Sequence, residues 1–477
     1  MLKRLELVPV TQNSYPFGSA VGKYNFSENG YSEDEYFMHG TANIYAEKGE
    51  ASFEIINENV PYCNRFVVRR PSDISKFSGN VVIEILNATA RVDLDRMWVI
   101  SGEHFMRNGD IYVGITSKPD TFDSLLNFDK ERYSKINWKY PGERIVTEKF
   151  EDEVLMAPNP ENETGLFWDI LTDLGLLLKS DNEMNPLTVY GGRKVMLTGW
   201  SQSASYMYTY INRLSANEEY TGGKTLFDGY LAAGGVHRLC VPLNQEGWYH
   251  TKESDPLQTK IKYMPLPYIA AQTESENAQF GSFECRQEDS DTEDFKYRIY
   301  EIAGSTHDNK QTLLDYYHND ASLSKRGGGP KYMGEHDFPC DFPYQFPFNA
   351  LYNYLFSWVN DGIAPPSFDR IEIDEELNNV TDKNGNAIGG MRTPFVNCPS
   401  CAYVPYSNIN GAKFGLFGHV LPFSAEELKQ KYVSLENYRK LVEEDTDKCI
   451  KEGYTLAADK EEIIETAVAS ASERGLN

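Results

Sequence analysis

Residues 81–86 (Val-Val-Ile-Glu-Ile-Leu) are almost continuously apolar, as expected for a central parallel strand covered on both faces. The stretch 110–116, around Ile-Tyr-Val-Gly-Ile, reads the same way, and a short apolar run at 195–198 leads into Gly-Trp-Ser-Gln-Ser. Residues 64–71 alternate polar and apolar as an edge strand does, and so do residues 1–8. Further strands are predicted at 227–233, 266–271 and 297–303. Apolar residues at helical spacing predict helices over 94–106, 166–178 and 346–358. Strands that alternate with helices or long connections argue for a doubly wound, mostly parallel α/β sheet with helices on both faces.

Some connections are too long to be simple loops. The polar, aromatic stretch 117–163 reads as an insertion over the sheet edge, with comparable cap-like insertions near 236–262 and 308–345. Beyond Pro365-Pro366 the chain becomes irregular and rich in Gly and Asn, then ends in helical stretches. One of these starts at Ser424-Ala-Glu-Glu427, a capping-box pattern. The expected organisation is a core over 1–366 and an extension over 367–477, packed on that core and not independently active. No internal repeat is visible.

Composition narrows the partners. With 71 acidic against 46 basic residues, the 477-residue chain carries a formal charge of −25. That argues against nucleic acid or an anionic membrane surface. No apolar run approaches the ~20 residues of a membrane span. The N-terminal residues read as a strand, not a signal peptide, so a cytoplasmic protein is expected if Met1 is the true start. Aromatic residues reach 13%. Packing of a large surface explains them most simply, and a carbohydrate- or aryl-lined cleft is the lesser alternative. Of seven cysteines, only Cys398-Pro-Ser-Cys401 has motif spacing. A zinc site would want a second such pair, so two structural thiols or a local disulfide are expected. No Gly-rich phosphate loop follows a strand, and no His/Asp/Glu cluster has ligand spacing; neither cofactor nor metal is expected.

The chemistry points to Gly199-Trp200-Ser201-Gln202-Ser203, a strand-to-helix turn with small residues two positions either side of a serine. Such a nucleophile elbow exposes the Ser201 hydroxyl at the C-terminal edge of the sheet. It also offers the Gln202 N–H, at a helix N-terminus, to a developing oxyanion. Gly is usual at the fifth position, where this chain has Ser203. A base and an acid should follow the serine along the chain. His307 lies just past the last predicted strand, whereas His318 and His336 fall in polar loops without one. After the preceding strand come Glu274 and Glu276, of which Glu276 is the preferred acid and Glu274 the alternative. The second oxyanion donor is expected from the loop 86–90, at the Ala88 N–H. Asn87 and Trp200 are read as substrate-binding, although Asn87 could equally close a turn.

Several stretches together resemble one family: 65–71, 77–87, Gly199–Ser203, 227–229, Gln272-Thr-Glu-Ser-Glu276, Glu301-Ile-Ala-Gly-Ser-Thr-His307, 389–394 and 415–418. The chain resembles the large bacterial group of alpha/beta hydrolase domain-containing proteins, from about residue 62 to the C-terminal helices. The resemblance implies the α/β-hydrolase fold and a triad of Ser201, His307 and Glu274 or Glu276. It implies no defined substrate. The leading expectation is a serine hydrolase of small-molecule carboxylic esters; an acyltransferase or peptidase would use the same triad. The rival from another class is a catalytically silent fold that serves binding or assembly.

Overall fold

The computed structural model describes residues 1–18, 25–48, 52–143, 161–235, 241–250, 260–318, 323 and 334–477. The expected insertions fall partly outside these, at 144–160, 236–240, 251–259, 319–322 and 324–333. The chain divides into two compact units. One takes Met1–Tyr268, Thr292–Phe295 and Tyr317–Gly329; the other takes Ile269–Asp291, Lys296–Tyr316 and Pro330–Asn477.

The first unit is built on strands β1 (Leu2–Val8), β2 (Tyr31–Glu47), β3 (Phe53–Pro71), β4 (Asn80–Ile85), β5 (Ile111–Ile115), β6 (Lys194–Trp200) and β7 (Gly229–Ala233). Their order in the sheet is β1-β2-β3-β5-β4-β6-β7. The β1/β2, β2/β3 and β3/β5 pairs are antiparallel. The pairs β5/β4, β4/β6 and β6/β7 are parallel, with Val81 opposite both Ile111 and Val195. The apolar run at 81–86 is therefore a central strand, and all six residues of β4 are buried. Helices α1 (Arg96–Asn108), α2 (Phe167–Lys179) and α3 (Gln202–Thr209) connect the parallel strands. The chain steps from β4 to β5 in one direction and from β5 through β6 to β7 in the other. Right-handed crossovers then put α1 on one face and α2 and α3 on the opposite one.

Two features of this sheet have electrostatic causes that the apolar pattern does not show. Strand β2 begins Tyr-Ser-Glu-Asp-Glu, which no apolar pattern marks as a strand. The fold makes it one by pairing its acids with the arginines of β3 and with Arg132. Glu33 meets Arg69 at 2.8 Å, Asp34 meets Arg70, and the fully buried Glu35 meets Arg65 at 3.1 Å and Arg132 at 2.6 Å. Without Arg65 and Arg132, burying the Glu35 carboxylate would be prohibitive. Strand β3 itself starts earlier than 64, because its first half runs along β2 and needs no buried face.

Glu84, in the middle of the apolar run, is the second case. Its carboxylate accepts the Met97 N–H (2.9 Å), the Trp98 N–H (3.2 Å) and the Tyr112 hydroxyl (2.7 Å). Asp95, the residue at the N-cap of α1, makes no side-chain cap, so a glutamate on the sheet supplies it. Burial, reinforced by the charge of Asp95, pushes Glu84 from its ordinary 4.5 up to about 8. The folded state thus keeps a proton that the unfolded chain gives up above its ordinary value. Stability from this group is complete at low pH and is lost as pH rises through that window. Relative to Glu84→Gln, the native protein should lose up to about 1.4 kcal/mol of unfolding free energy per pH unit across it. Urea titrations at acid, intermediate and mildly alkaline pH measure the slope, and parallel curves for the two proteins would refute the account.

The second unit holds the end of β8 (Met264–Thr273), α4 (Glu274–Phe280), β9 (Ser290–Asp291) and most of β10 (Phe295–Ile302). Helix α5 (Gln345–Asp361) is followed by β11 (Cys401–Val404), β12 (Ser407–Ile409), β13 (Ala412–Phe414) and β14 (His419–Pro422). The chain ends in α6 (Ala425–Tyr432), α7 (Leu435–Glu452) and α8 (Lys460–Glu473). The capping box at Ser424 and Glu427 forms. C-terminal residues hydrogen-bond directly to the end of β10 and the loop beyond it: Met391 N–H to Glu301 O at 2.7 Å, and Asp308 N–H to Leu416 O at 2.8 Å. Cys398 and Cys401 are free thiols, and burial pushes both up to about 12, well away from reactive thiolate character. Among the described residues no helix is long and apolar enough to cross a membrane.

Candidate active site

Ser201 follows β6 directly and occupies the N-cap position of α3. Its backbone sits at φ 59°, ψ −119°, a region that residues with a side chain rarely adopt. The conformation is held from both directions: the Ser201 N–H donates to Ala233 O (2.8 Å), and the Ser201 carbonyl accepts from the Ser205 N–H (3.2 Å). The turn is tight enough to dictate its neighbours. A Cβ on Gly199 would stand 2.8 Å from Ser203 Cβ and 3.1 Å from the Ser203 carbonyl carbon, so residue 199 has no room for one. At the fifth position the Ser203 side chain fits as long as residue 199 stays glycine, which accounts for the departure from Gly. Helix α3 ends at Thr209 and continues as a π-helical turn over Tyr210–Ser215.

The loop after β4 is tied to this elbow. Asn87 Nδ2 donates to the Trp200 carbonyl (2.9 Å), and Asn87 Oδ1 accepts the Thr89 N–H (3.1 Å). Asn87 therefore fixes the loop against the peptide that precedes Ser201, and closes a turn as well. Ala88 is buried next to it, and among the described residues nothing accepts its N–H. Gln202 is the first residue of α3, so its N–H has no acceptor within the helix. The Trp200 ring is buried, with the Arg96 guanidinium 5.7 Å above it and Gly234 against its edge.

In the second unit, Glu276 and His307 meet. His307 Nδ1–H donates to Glu276 Oε1 at 2.5 Å, with both residues buried. The other carboxylate oxygen, Glu276 Oε2, accepts the Thr273 N–H at 2.5 Å, while the Thr273 hydroxyl accepts from the Ser275 N–H. The two exchanges make a capping box at the start of α4. Glu276 thus stands on a helix, not on the loop expected from sequence, and its position is set by the cap. Glu274 turns elsewhere: its carboxylate accepts the Gly304 N–H and the Asn379 amide (3.3 Å), and burial pushes it up to about 7. Ser275 Oγ accepts the His307 N–H at 3.0 Å and donates to Pro405 O at 2.7 Å. Three consecutive residues, Glu274, Ser275 and Glu276, therefore fasten the histidine loop at Gly304, at the His307 backbone and at its imidazole.

Residues 4–465 match the family described as alpha/beta hydrolase domain. The chain belongs to this family. No curated protein is significantly similar to it. Among solved structures it is similar to an esterase bound to p-nitrophenol (11% identity, 65% of this chain and 87% of that one, TM-score 0.33). It is also similar to a thermostable esterase from Pseudomonas putida (12%, 66% and 85%, TM-score 0.30). A third is an esterase from Rhizomucor miehei (7%, 62% and 83%, TM-score 0.29).

In this alpha/beta hydrolase the structure groups Ser201, Gln202, Trp200, Asn87 and Ala88 within one unit, and Glu276 with His307 within the other. The sequence reading overlooked Thr273 and Ser275, which hold the histidine and its acid in place. A signal for both existed, since Thr273-Glu-Ser-Glu276 is itself a capping-box pattern. No three His, Cys, Asp or Glu side chains among the described residues come together as a ligand set for a metal.

Proposed function

We propose that this alpha/beta hydrolase cleaves carboxylic esters through an acyl-enzyme formed on Ser201. The backbone of Ser201 carries the reading: a non-glycine residue held at φ 59° between a buried strand and a helix N-terminus is strain with no structural purpose of its own. In this reading His307 Nε2 takes the Ser201 proton as the hydroxyl attacks the ester carbonyl. Glu276 holds Nδ1–H, fixing the tautomer and stabilising the imidazolium. The Gln202 and Ala88 N–H groups receive the oxyanion. The imidazolium then returns its proton to the departing alcohol, and water, activated by the same base, releases the acid. Esters are the easier substrates for such a site, because an alkoxide is a far better leaving group than the anion of an amine.

A fluorophosphonate probe, with the labelled peptide mapped by mass spectrometry, tests the nucleophile directly. Labelling at Ser201 that disappears in His307→Ala supports the mechanism. No labelling of a folded sample would hand the site to a ligand-binding role. Amide and peptide substrates run beside an ester panel test the substrate class, and turnover of amides alone would overturn it.

Asn87 offers a quantitative check. Asn87→Ala releases the Ala88 loop from the Trp200 carbonyl without touching the triad. A displaced oxyanion donor should lower kcat by roughly 10- to 100-fold, with a smaller change in KM. Steady-state kinetics on one ester reads both, and an unchanged kcat would remove the Ala88 loop from the oxyanion site.

A further inference from the structure

Three buried polar groups around the elbow have no hydrogen-bond partner among the described residues: Lys118 Nζ, Gln202 Oε1 and the Tyr206 hydroxyl. They sit close together by construction. Gln202 and Tyr206 are four residues apart on α3 and so share one face of it. The Lys118 ammonium lies 4.7 Å from the centre of the Tyr206 ring. Tyr206 is itself wedged against Phe167 (5.6 Å) and Trp168 (5.3 Å) of α2.

Lys118 is also anchored to the elbow through the chain. It stands three residues past the end of β5, and its neighbour Ser117 donates to the Leu86 carbonyl at 2.7 Å. The next residue, Asn87, reaches the carbonyl before Ser201. Three adjacent strand ends are thus stitched side by side, with Lys118 on the first, the oxyanion loop on the second and Ser201 on the third. This is the edge of a parallel sheet where ligands bind.

A buried ammonium with no acceptor among the described residues is costly, and Lys118 stands in the loop after β5, beside the strand ends that carry the elbow. The chain does not lack acids to pair with it, having 71 of them. Asp120 acts on Lys118, and Asp120 and Glu163 act on Tyr206, only through charge at a distance. Among the described residues no acceptor takes the ammonium hydrogens or the phenol hydrogen, and the Gln202 amide can turn to present either of its ends. Desolvation accordingly brings Lys118 down to about 7, and an anion bound beside it would restore its charge.

We propose that Lys118, with the Tyr206 hydroxyl and the Gln202 amide, binds a carboxylate carried by the substrate, so that the ester cleaved is the half-ester of a dicarboxylic acid. The proposal rests on Ser201 as the ester-cleaving nucleophile, and it specifies what else the substrate bears. The lysine supplies a charge-assisted hydrogen bond, the phenol a second donor, and the aromatic walls exclude the water that would compete.

Binding tests this apart from turnover. In Ser201→Ala protein, titration calorimetry compares the monomethyl esters of succinate, glutarate, adipate and suberate with the matching dimethyl esters. At least one half-ester should bind about ten- to hundredfold more tightly than its diester. Lys118→Met should erase that preference, Lys118→Arg should keep part of it, and Tyr206→Phe should reduce it. If Lys118→Met does not fold, the Tyr206→Phe comparison decides. No half-ester preferred over its diester, or a preference that persists in both variants, would overturn the subsite. The two readings fail separately: absence of fluorophosphonate labelling sinks Ser201, whereas labelled protein that binds diesters as well as half-esters sinks only the carboxylate site.

Discussion

Ser201→Ala should lower kcat/KM for ester hydrolysis by roughly 10⁵- to 10⁶-fold, because the nucleophile, and with it the covalent route, is gone. The same residue makes an opposite prediction for stability. At φ 59° every side chain, alanine included, is strained by about 1–3 kcal/mol, whereas glycine accepts the conformation. Glycine returns part of that gain through the larger entropy of its unfolded chain. Ser201→Gly should therefore be the more stable of two inactive variants, by about 1 kcal/mol over Ser201→Ala. Ester turnover and urea unfolding measured on the same preparations check both statements. An active Ser201→Ala enzyme would end the serine mechanism, and a glycine variant no more stable than alanine would end the argument from the elbow.

What could be read without coordinates follows from how local each signal is. The elbow was legible because a strand, a turn with small residues and a helix N-terminus all lie within a dozen positions, and each leaves its own mark. Strand β4 was legible because burial on both faces leaves an uninterrupted apolar run. Strand β2 was not, since its core-facing Glu35 is made tolerable by Arg65 and Arg132, which are remote in sequence. Glu84 hides inside an apolar run because its partners are the backbone N–H groups of α1, and a pattern of side chains does not register those. What separates Glu274 from Glu276 is geometry of another kind. Pleat counting along β8 treats both as loop residues, but Thr273 caps a helix there, and the cap requires the residue three positions on.

That cap separates two effects of one carboxylate. Glu276→Gln should cut kcat by about 10⁴-fold, as the loss of the orienting charge beside a catalytic imidazole does elsewhere. Stability should scarcely change, since glutamine also completes a capping box and its carbonyl oxygen can accept the Thr273 N–H. Glu276→Ala removes both roles and should add a loss of about 1 kcal/mol from the uncapped helix. Glu274→Gln serves as the control. Its Oε1 accepts the Gly304 N–H and its Oε2 the Asn379 amide. A glutamine oxygen keeps the first, the Asn379 amide can turn to meet the new NH2, and a group raised to about 7 is already about half protonated at neutral pH. Its activity should stay within about tenfold of the native enzyme, well short of the loss of a triad acid. Comparing kcat and unfolding free energy for the three variants is decisive, because a capping residue and a catalytic acid fail in different measurements. If Glu274→Gln is the inactive one, the roles of the two glutamates are reversed. If Glu276→Gln loses stability in proportion to activity, the contact with His307 only holds the fold.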